Sequence, residues 1–358
     1  RHGMSESGCH SSAASGYEPG KVCACKRGTV NMNIGIYSMR DDEADYVHQM
    51  AESLGIHILT TFEDPSVDNV DFLEGCEGVS VLGQVFIGRE LLDAWKEKGI
   101  RYLSTRTIGY NHIDVKYAGK IGIRVSHASY DPNGVADFTI MLMLMCLRNY
   151  KQALWRGQVN DFSLFGLKGK EMRSLTVGVV GTGKIGAAVI KNLSGFGCKI
   201  LAYGRHESDE LKQYATYVSL EELYHQSDII TLHLPLTPET KHMINHDTIA
   251  MMKDQVIIIN CARGSLADPD ALIEGIESEK IGALGLDVLE REEGIIHVDH
   301  RIDIISNQKM AYLRQFRNVT MTPHMAFYTE EAIKSMVETG ILGLLDMQQH
   351  EKGKLEVV

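Results

Sequence analysis

No stretch of this chain is both long and apolar enough to cross a bilayer. The most apolar run, residues 138–147 (FTIMLMLMCL), is ten residues long. As a helix it would span about 15 Å, half of a hydrocarbon core, so it reads as a buried helix. A positive surplus is also missing: 36 Lys and Arg stand against 47 Asp and Glu, a net charge of −11. That balance argues against nucleic acid as a partner and mainly serves solubility. Nor is there a disulfide framework. The seven cysteines are an odd count, and Cys9, Cys23 and Cys25 crowd into the first thirty residues. Cys76, Cys146, Cys198 and Cys261 are scattered in apolar surroundings, the usage of small buried hydrophobes in a reducing, cytoplasmic compartment. Cys23-Ala-Cys25 has no second pair at ligand spacing, so no metal site is expected. No continuous apolar h-region of the secretory kind is visible near the start. Residues 1–31, rich in Ser, Gly and other small residues, are expected to be a flexible leader or tag.

What is present is a globular composition, 44% apolar and 23% charged over 358 residues, enough for two domains with real cores. Short β-like runs at 32–38, 56–60, 78–82, 102–105 and 123–126 alternate with helical stretches such as 41–54 and 88–98. Asp131-Pro132-Asn133 then signals a turn and a helix entry, leading into one long helix expected over 135–155. Beyond a loose stretch at 157–170 a cleaner series begins, with strands expected at 176–180, 199–203, 229–232, 256–260, 282–287 and 319–322. The chain ends in a helix over 330–349. This order predicts an α/β protein of two doubly wound, Rossmann- or flavodoxin-like parallel sheets, one domain inserted into the other. The expected bounds are 32–131 with 328–358 for a substrate domain, and 132–327 for a dinucleotide-binding domain.

The cofactor signature lies where the second series opens. Thr176-Val-Gly-Val-Val-Gly181-Thr-Gly183-Lys-Ile-Gly186 is a strand running into GxGxxG and a helix. Gly181 suits the tight turn, Gly183 a close approach to a pyrophosphate, and Gly186 a close helix–strand contact. After the next strand an NAD enzyme would carry a carboxylate for the ribose 2′-hydroxyl; here Gly204 and Arg205 stand instead. A guanidinium pairs with a 2′-phosphate, so NADP(H) is favoured over NAD(H). The alternatives are that Arg205 is a solvated surface charge, or that Glu207 or Asp209 serves NAD.

Three further polar segments follow apolar strands: Asn260-Cys-Ala-Arg263-Gly264, Asp287-Val-Leu-Glu290-Arg-Glu292 and Thr322-Pro323-His324. Singly, each reads as surface charge or core packing. Together they supply an anion-binding cation, an acid/base and a carboxylate to orient it.

With those segments in hand, the chain resembles the D-isomer-specific 2-hydroxyacid dehydrogenases, and within them the D-lactate dehydrogenase branch. Its wording is most similar to those of the vancomycin-resistance type. The resemblance runs from about residue 32 to 349 through STRTIGYNHID (104–114), SYDPNGVAD (129–137), GVVGTGKIG (178–186), LHLPLT (232–237), NCARGSLAD (260–268), LDVLEREEG (286–294) and TPHMAFYTEEA (322–332). It implies reduction of a 2-keto acid to the (R)-2-hydroxy acid. His324 would be the acid, Glu292 its carboxylate partner, and Arg263 the clamp on the substrate carboxylate. The implied cofactor surface comprises Gly181, Thr182, Gly183, Lys184, Ile185 and Gly186, then Gly204, Arg205 and His206, then Leu234, Pro235 and Thr240. Cys261, Ala262 and Asp287, the last on the nicotinamide side, complete it. Leu82, Gly83, Tyr130, Phe327 and Arg40 would join Arg263 around the substrate. Many relatives carry Tyr where this chain has Leu82, which implies a larger, drier pocket and tolerance of keto acids bulkier than pyruvate. A homodimer is implied as well; the apolar helix from 135 is expected to be covered either by a partner or within the monomer. The alternative class is a non-catalytic NAD(P)-sensing binding protein on the same fold.

Overall fold

The computed structural model describes residues 32–358; the expected leader, with Cys9, Cys23 and Cys25, lies outside them. Short β-branched runs bounded by glycine and polar turns form two parallel sheets. The first holds β1 (Asn33–Ile36), β2 (His57–Thr60), β3 (Gly78–Val81), β4 (Tyr102–Thr105) and β5 (Arg124–His127), in the order β2-β1-β3-β4-β5. The second holds β6 (Thr176–Val180), β7 (Lys199–Tyr203), β8 (Thr216–Tyr217), β9 (Ile229–Leu232), β10 (Val256–Asn260), β11 (Ile281–Leu286) and β12 (Val319–Met321), in the order β12-β11-β10-β9-β6-β7-β8. β9 (IITL) and β10 (VIIIN) are buried throughout, as strands covered on both faces must be. In each sheet the order reverses beside the first strand, at β1/β3 and at β6/β9. Ligands gather in the crevice beyond the carboxyl ends of strands at such points.

Helices cover the faces. On the first sheet α1 (Ala44–Leu54) shares a core with the last helix, and α2 (Arg89–Glu97) and α3 (Val115–Lys120) border the opposite core around Trp95. On the second sheet α4 (Asn133–Leu147) and α6 (Lys184–Ser194) pack together over one face. The other face carries α7 (Leu220–Gln226), α8 (His246–Met251), α9 (Pro269–Glu277) and α10 (Gln308–Leu313). The last helix, α11 (Glu330–Gln349), starts on the Thr329 cap and returns Val337, Ile341 and Leu344 to the core of the first sheet. The chain therefore passes between the sheets twice, before α4 and before α11. The two passages lie side by side: a Cβ on Gly134 would stand 3.3 Å from Thr329 Cγ2.

The single helix expected over 135–155 is instead two, α4 and α5 (Tyr150–Gln158), broken at Asn149 with φ of 50°. The returning segment causes the break. Lys170 N donates to the Leu147 carbonyl at 3.1 Å, and Asn149 Nδ2 donates to the Lys168 carbonyl at 3.1 Å. A Cβ on Gly169 would overlap the Leu147 oxygen, so these long-range bonds replace the next helical turn. The apolar circumference of α4 is covered within the chain, with Met141 its one large apolar side chain left exposed among the described residues. Apolar surface is exposed instead on α5 and the loop after it.

One charge pair sits at the carboxyl ends of the first sheet. Arg106 and Glu43 are fully buried. The guanidinium donates to both Glu43 oxygens (3.0 and 3.2 Å), to Ser80 Oγ (3.3 Å) and to the Tyr37 and Ser38 carbonyls (3.1 and 3.2 Å). It ties the segments that follow β1 and β4 to β3 itself.

Candidate active site

The turn after β6 puts three glycines to three uses. Gly181 has φ of 101°, and a Cβ there would overlap the His233 carbonyl in the loop after β9. A Cβ on Gly186 would overlap the Gly181 carbonyl, so α6 packs flush against the turn. Among the described residues, nothing lies within 4 Å of where a Cβ on Gly183 would be. That open space faces the N-terminus of the eleven-residue α6, whose first N–H groups, those of Lys184, Ile185 and Gly186, lack intrahelical acceptors. Open room, free N–H donors and a positive dipole end fit the pyrophosphate of a dinucleotide.

Beyond β7, a Cβ on Gly204 would overlap Thr182 Oγ1, so this position packs against the phosphate turn. Arg205 and His206 are exposed, and Arg205 makes no ion pair among the described residues. Glu207 and Asp209 both turn to Lys212, each at 3.0 Å. Leu234 packs on the Gly181 turn, and Thr240 Oγ1 donates to the Pro235 carbonyl at 2.7 Å, closing the loop after β9. After β10, the Ala262 N–H is held by Asn260 Oδ1 at 3.0 Å beside the half-buried Cys261.

The polar ends of β10, β11 and β12 converge. Asn260 Nδ2 donates to the Arg263 carbonyl at 2.9 Å, fixing the turn that carries the guanidinium. That guanidinium fills the place a Cβ on Gly109 would take, so it reaches the loop after β4 in the first sheet. Burial lowers the Arg263 pKa from its ordinary value, opposed by Tyr130 and Glu292 nearby. His324 Nδ1 meets Glu292 Oε1 at 2.7 Å, while Glu292 Oε2 accepts the Leu289 N–H at 2.9 Å. The backbone of His324 is left-handed, with φ of 52°, and its N–H donates to the Asp287 carbonyl at 2.9 Å.

The resemblance implies that Asp287 lies on the nicotinamide side and supports the site. It is 1% exposed, and its carboxylate accepts from Thr322 Oγ1 (2.6 Å), Met325 N (2.9 Å) and Ala326 N (2.8 Å). It therefore anchors the turn bearing His324, with Oδ1 taking two of these bonds and Oδ2 one.

Leu82, Ala128 and Met336 form a small buried cluster, against which Tyr130 and Phe327 pack. The Phe327 ring stands edge-on to His324 at 6.4 Å. Burial pushes the Tyr130 phenol up to about 12. Gly83 follows Leu82, and the room its missing side chain leaves borders His112 at 3.7 Å. Arg40 is already engaged: Nε pairs with Asp42 at 2.9 Å, and the guanidinium lies over the Tyr328 ring.

Two histidines of this region escape sequence reasoning. His112, within the quoted 104–114 segment, has its pKa lowered to about 4 by burial and then by the charge of Arg263. His297 donates from Nε2 to the His324 carbonyl at 3.1 Å. For His112, its place three residues after Gly109 was the available signal; for His297 there was none.

Residues 140–326 match the family described as D-isomer specific 2-hydroxyacid dehydrogenase, NAD binding domain. An aromatic 2-oxoacid reductase of Clostridium sporogenes is 44% identical over 320 residues, covering 88% of this chain and 96% of that protein. A D-specific alpha-keto acid dehydrogenase of Enterococcus faecium is 40% identical over 322 residues, covering 90% and 99%. Among solved structures, a D-2-hydroxyisocaproate dehydrogenase superposes with a TM-score of 0.83 at 32% identity, over 91% of this chain and 99% of that one.

Proposed function

The chain belongs to the D-isomer-specific 2-hydroxyacid dehydrogenases, oxidoreductases that use a nicotinamide dinucleotide, and from that premise we propose that it reduces 2-oxo acids bulkier than pyruvate, with NADPH in preference to NADH. The non-catalytic sensor reading is set aside, since the family and these relatives are enzymes.

The observation that carries the proposal is the His324–Glu292 pair at 2.7 Å beside Arg263, facing the apolar Leu82–Tyr130–Phe327 cluster. Arg263 would hold the substrate carboxylate with its fork of donors, aided by the backbone at Leu82 and Gly83. Glu292 accepts the Nδ1–H of His324 and leaves Nε2 for the substrate. A protonated His324 would give the Nε2 proton to the carbonyl oxygen, and a neutral one would take it back in the reverse direction. When bound, the reduced nicotinamide supplies the hydride. Tyr130 stays a neutral phenol against the substrate, and Phe327 and Leu82 give the side-chain pocket dry walls.

NADPH is favoured by the Gly204-Arg205 pair: Arg205 pairs with no carboxylate among the described residues, and the two nearby acids are held by Lys212. The relevant units are residues 32–131 with 328–358 on the substrate side and 132–327 on the dinucleotide side. A homodimer is supported by exposed Tyr150, Leu154, Trp155, Phe162, Leu164 and Phe165 on α5 and the following loop. The free cysteines at 76, 146, 198 and 261 suit a cytoplasmic setting.

Steady-state kinetics with pyruvate, 2-oxoisocaproate and phenylpyruvate, each with both cofactors, tests the reading. The expected order puts the two bulky acids above pyruvate in kcat/KM and NADPH above NADH. A pyruvate preference of orders of magnitude removes the pocket argument, and an NADH preference removes the Arg205 argument.

A further inference from the structure

His324 is gripped twice by one short segment. Glu292 takes its ring through Nδ1. From Glu292 the chain turns at once, with the N–H groups of Ile295 and Ile296 both donating to the Glu292 carbonyl (3.0 and 3.2 Å). Ile295 is buried and pins the turn. Two residues on, His297 swings its imidazole back to the His324 carbonyl at 3.1 Å. A carbonyl only accepts, so Nε2 of His297 carries the proton and the tautomer is fixed.

The bond matters because of what it holds. A left-handed backbone is uncommon for a residue with a Cβ and persists only where the surroundings enforce it. At His324 the N–H is held by the Asp287 carbonyl, and the next two N–H groups are held by the Asp287 carboxylate. His297 supplies the remaining restraint, on the carbonyl side. The three rings of His297, His324 and Phe327 then stand 6.3, 6.4 and 6.3 Å apart, a closed corner around the acid.

We propose that His297 is a positioning residue for His324: its Nε2–H fixes the acid's strained backbone so that the ring keeps its aim between Glu292 and the substrate. The inference rests on His324 being the acid. His297 is exposed and lies outside every core cluster, so its removal leaves the fold standing.

The test compares His297→Phe, which keeps a ring without a donor, with His297→Gln, whose amide N–H donates to the same carbonyl. The best of the three 2-oxo acids above serves as substrate at saturating reduced cofactor. Misplacing a reacting group by a fraction of an ångström costs on the order of tenfold in turnover. The expected result is a fall of about that size in kcat for His297→Phe, a larger solvent deuterium isotope effect on kcat, and an unchanged KM for the cofactor. His297→Gln should stay within roughly threefold of wild type. His297→Leu repeats the donor-less case, and denaturation midpoints confirm folding. Wild-type turnover and isotope effect in His297→Phe, or an equal fall in His297→Gln, overturns the proposal. His324→Ala, run alongside, separates the two ideas: if it is inactive, only the positioning role has failed, and if it is active, the assignment of the acid has failed.

Discussion

Arg263 shows how much of a side chain's function is decided by a smaller neighbour. Its guanidinium lies in space that exists because residue 109 is glycine, and its backbone is clipped by Asn260. Lysine at 263 would keep the charge and lose the fork, so Arg263→Lys is expected to lower kcat/KM for the 2-oxo acid by about a hundredfold. Cofactor affinity, measured by fluorescence titration, should stay near wild type; a parallel loss of both would move Arg263 out of the substrate site. At this scale the sequence was uneven. Arg263, Glu292 and His324 were legible because each follows an apolar strand, and strands of one sheet end together. His297 was not, since it sits in an aperiodic segment 27 residues before the carbonyl it binds. Asp287 was legible as a residue supporting the site, but not its partners, which include two backbone N–H groups that only the folded turn brings within reach.

At the scale of elements, all the strands but the two-residue edge strand β8 came through because their apolar runs are short and sharply bounded, and their expected and observed ends differ by a residue or two; β8 carries no apolar run to signal it. The α4–α5 break did not, because its cause is the Lys170 N–H, 23 residues downstream, which caps the Leu147 carbonyl. The glycine turn offers a clean separation of local from ligand-dependent demands. Gly186→Ala has no room for its methyl group and is expected to destabilise the protein by about 1–3 kcal/mol, read as a lower denaturation midpoint. Gly183→Ala meets only open space, so its stability should match wild type while nucleotide affinity falls. Equal stability losses in both variants would contradict this division.

Across the whole molecule, two half-buried histidines tie stability to pH. Burial lowers the pKa of His233 to about 3, and burial with the Arg263 charge lowers that of His112 to about 4. Both are neutral in the fold and protonate near 6.5 once unfolded, so below that pH the unfolded chain binds more protons. Their contribution is complete above about pH 6.5 and is lost as pH falls toward 4 and 3, by up to about 1.4 kcal/mol per pH unit for each group. Urea midpoints from pH 7.5 to 4.5 should fall, and His233→Gln should flatten the slope; an unchanged slope would show His233 to be uninvolved. Association belongs to this scale too. A wild-type dimer by light scattering, converted to monomer by Trp155→Glu, is the expected outcome, and a monomeric wild type excludes the dimer. The two passages between the sheets touch where Gly134 meets Thr329. Two parallel tethers that close together constrain relative motion as a door hinge does, leaving one easy axis and resisting twist and slide. His324, Glu292 and the glycine turn ride on one leaf, and Leu82 and Gly83 on the other. A swing about that axis would change the gap between Arg263 and the Gly83 backbone while leaving the distance from acid to cofactor turn untouched. Such a swing would carry the substrate's second grip toward or away from an acid and cofactor turn that move as one leaf.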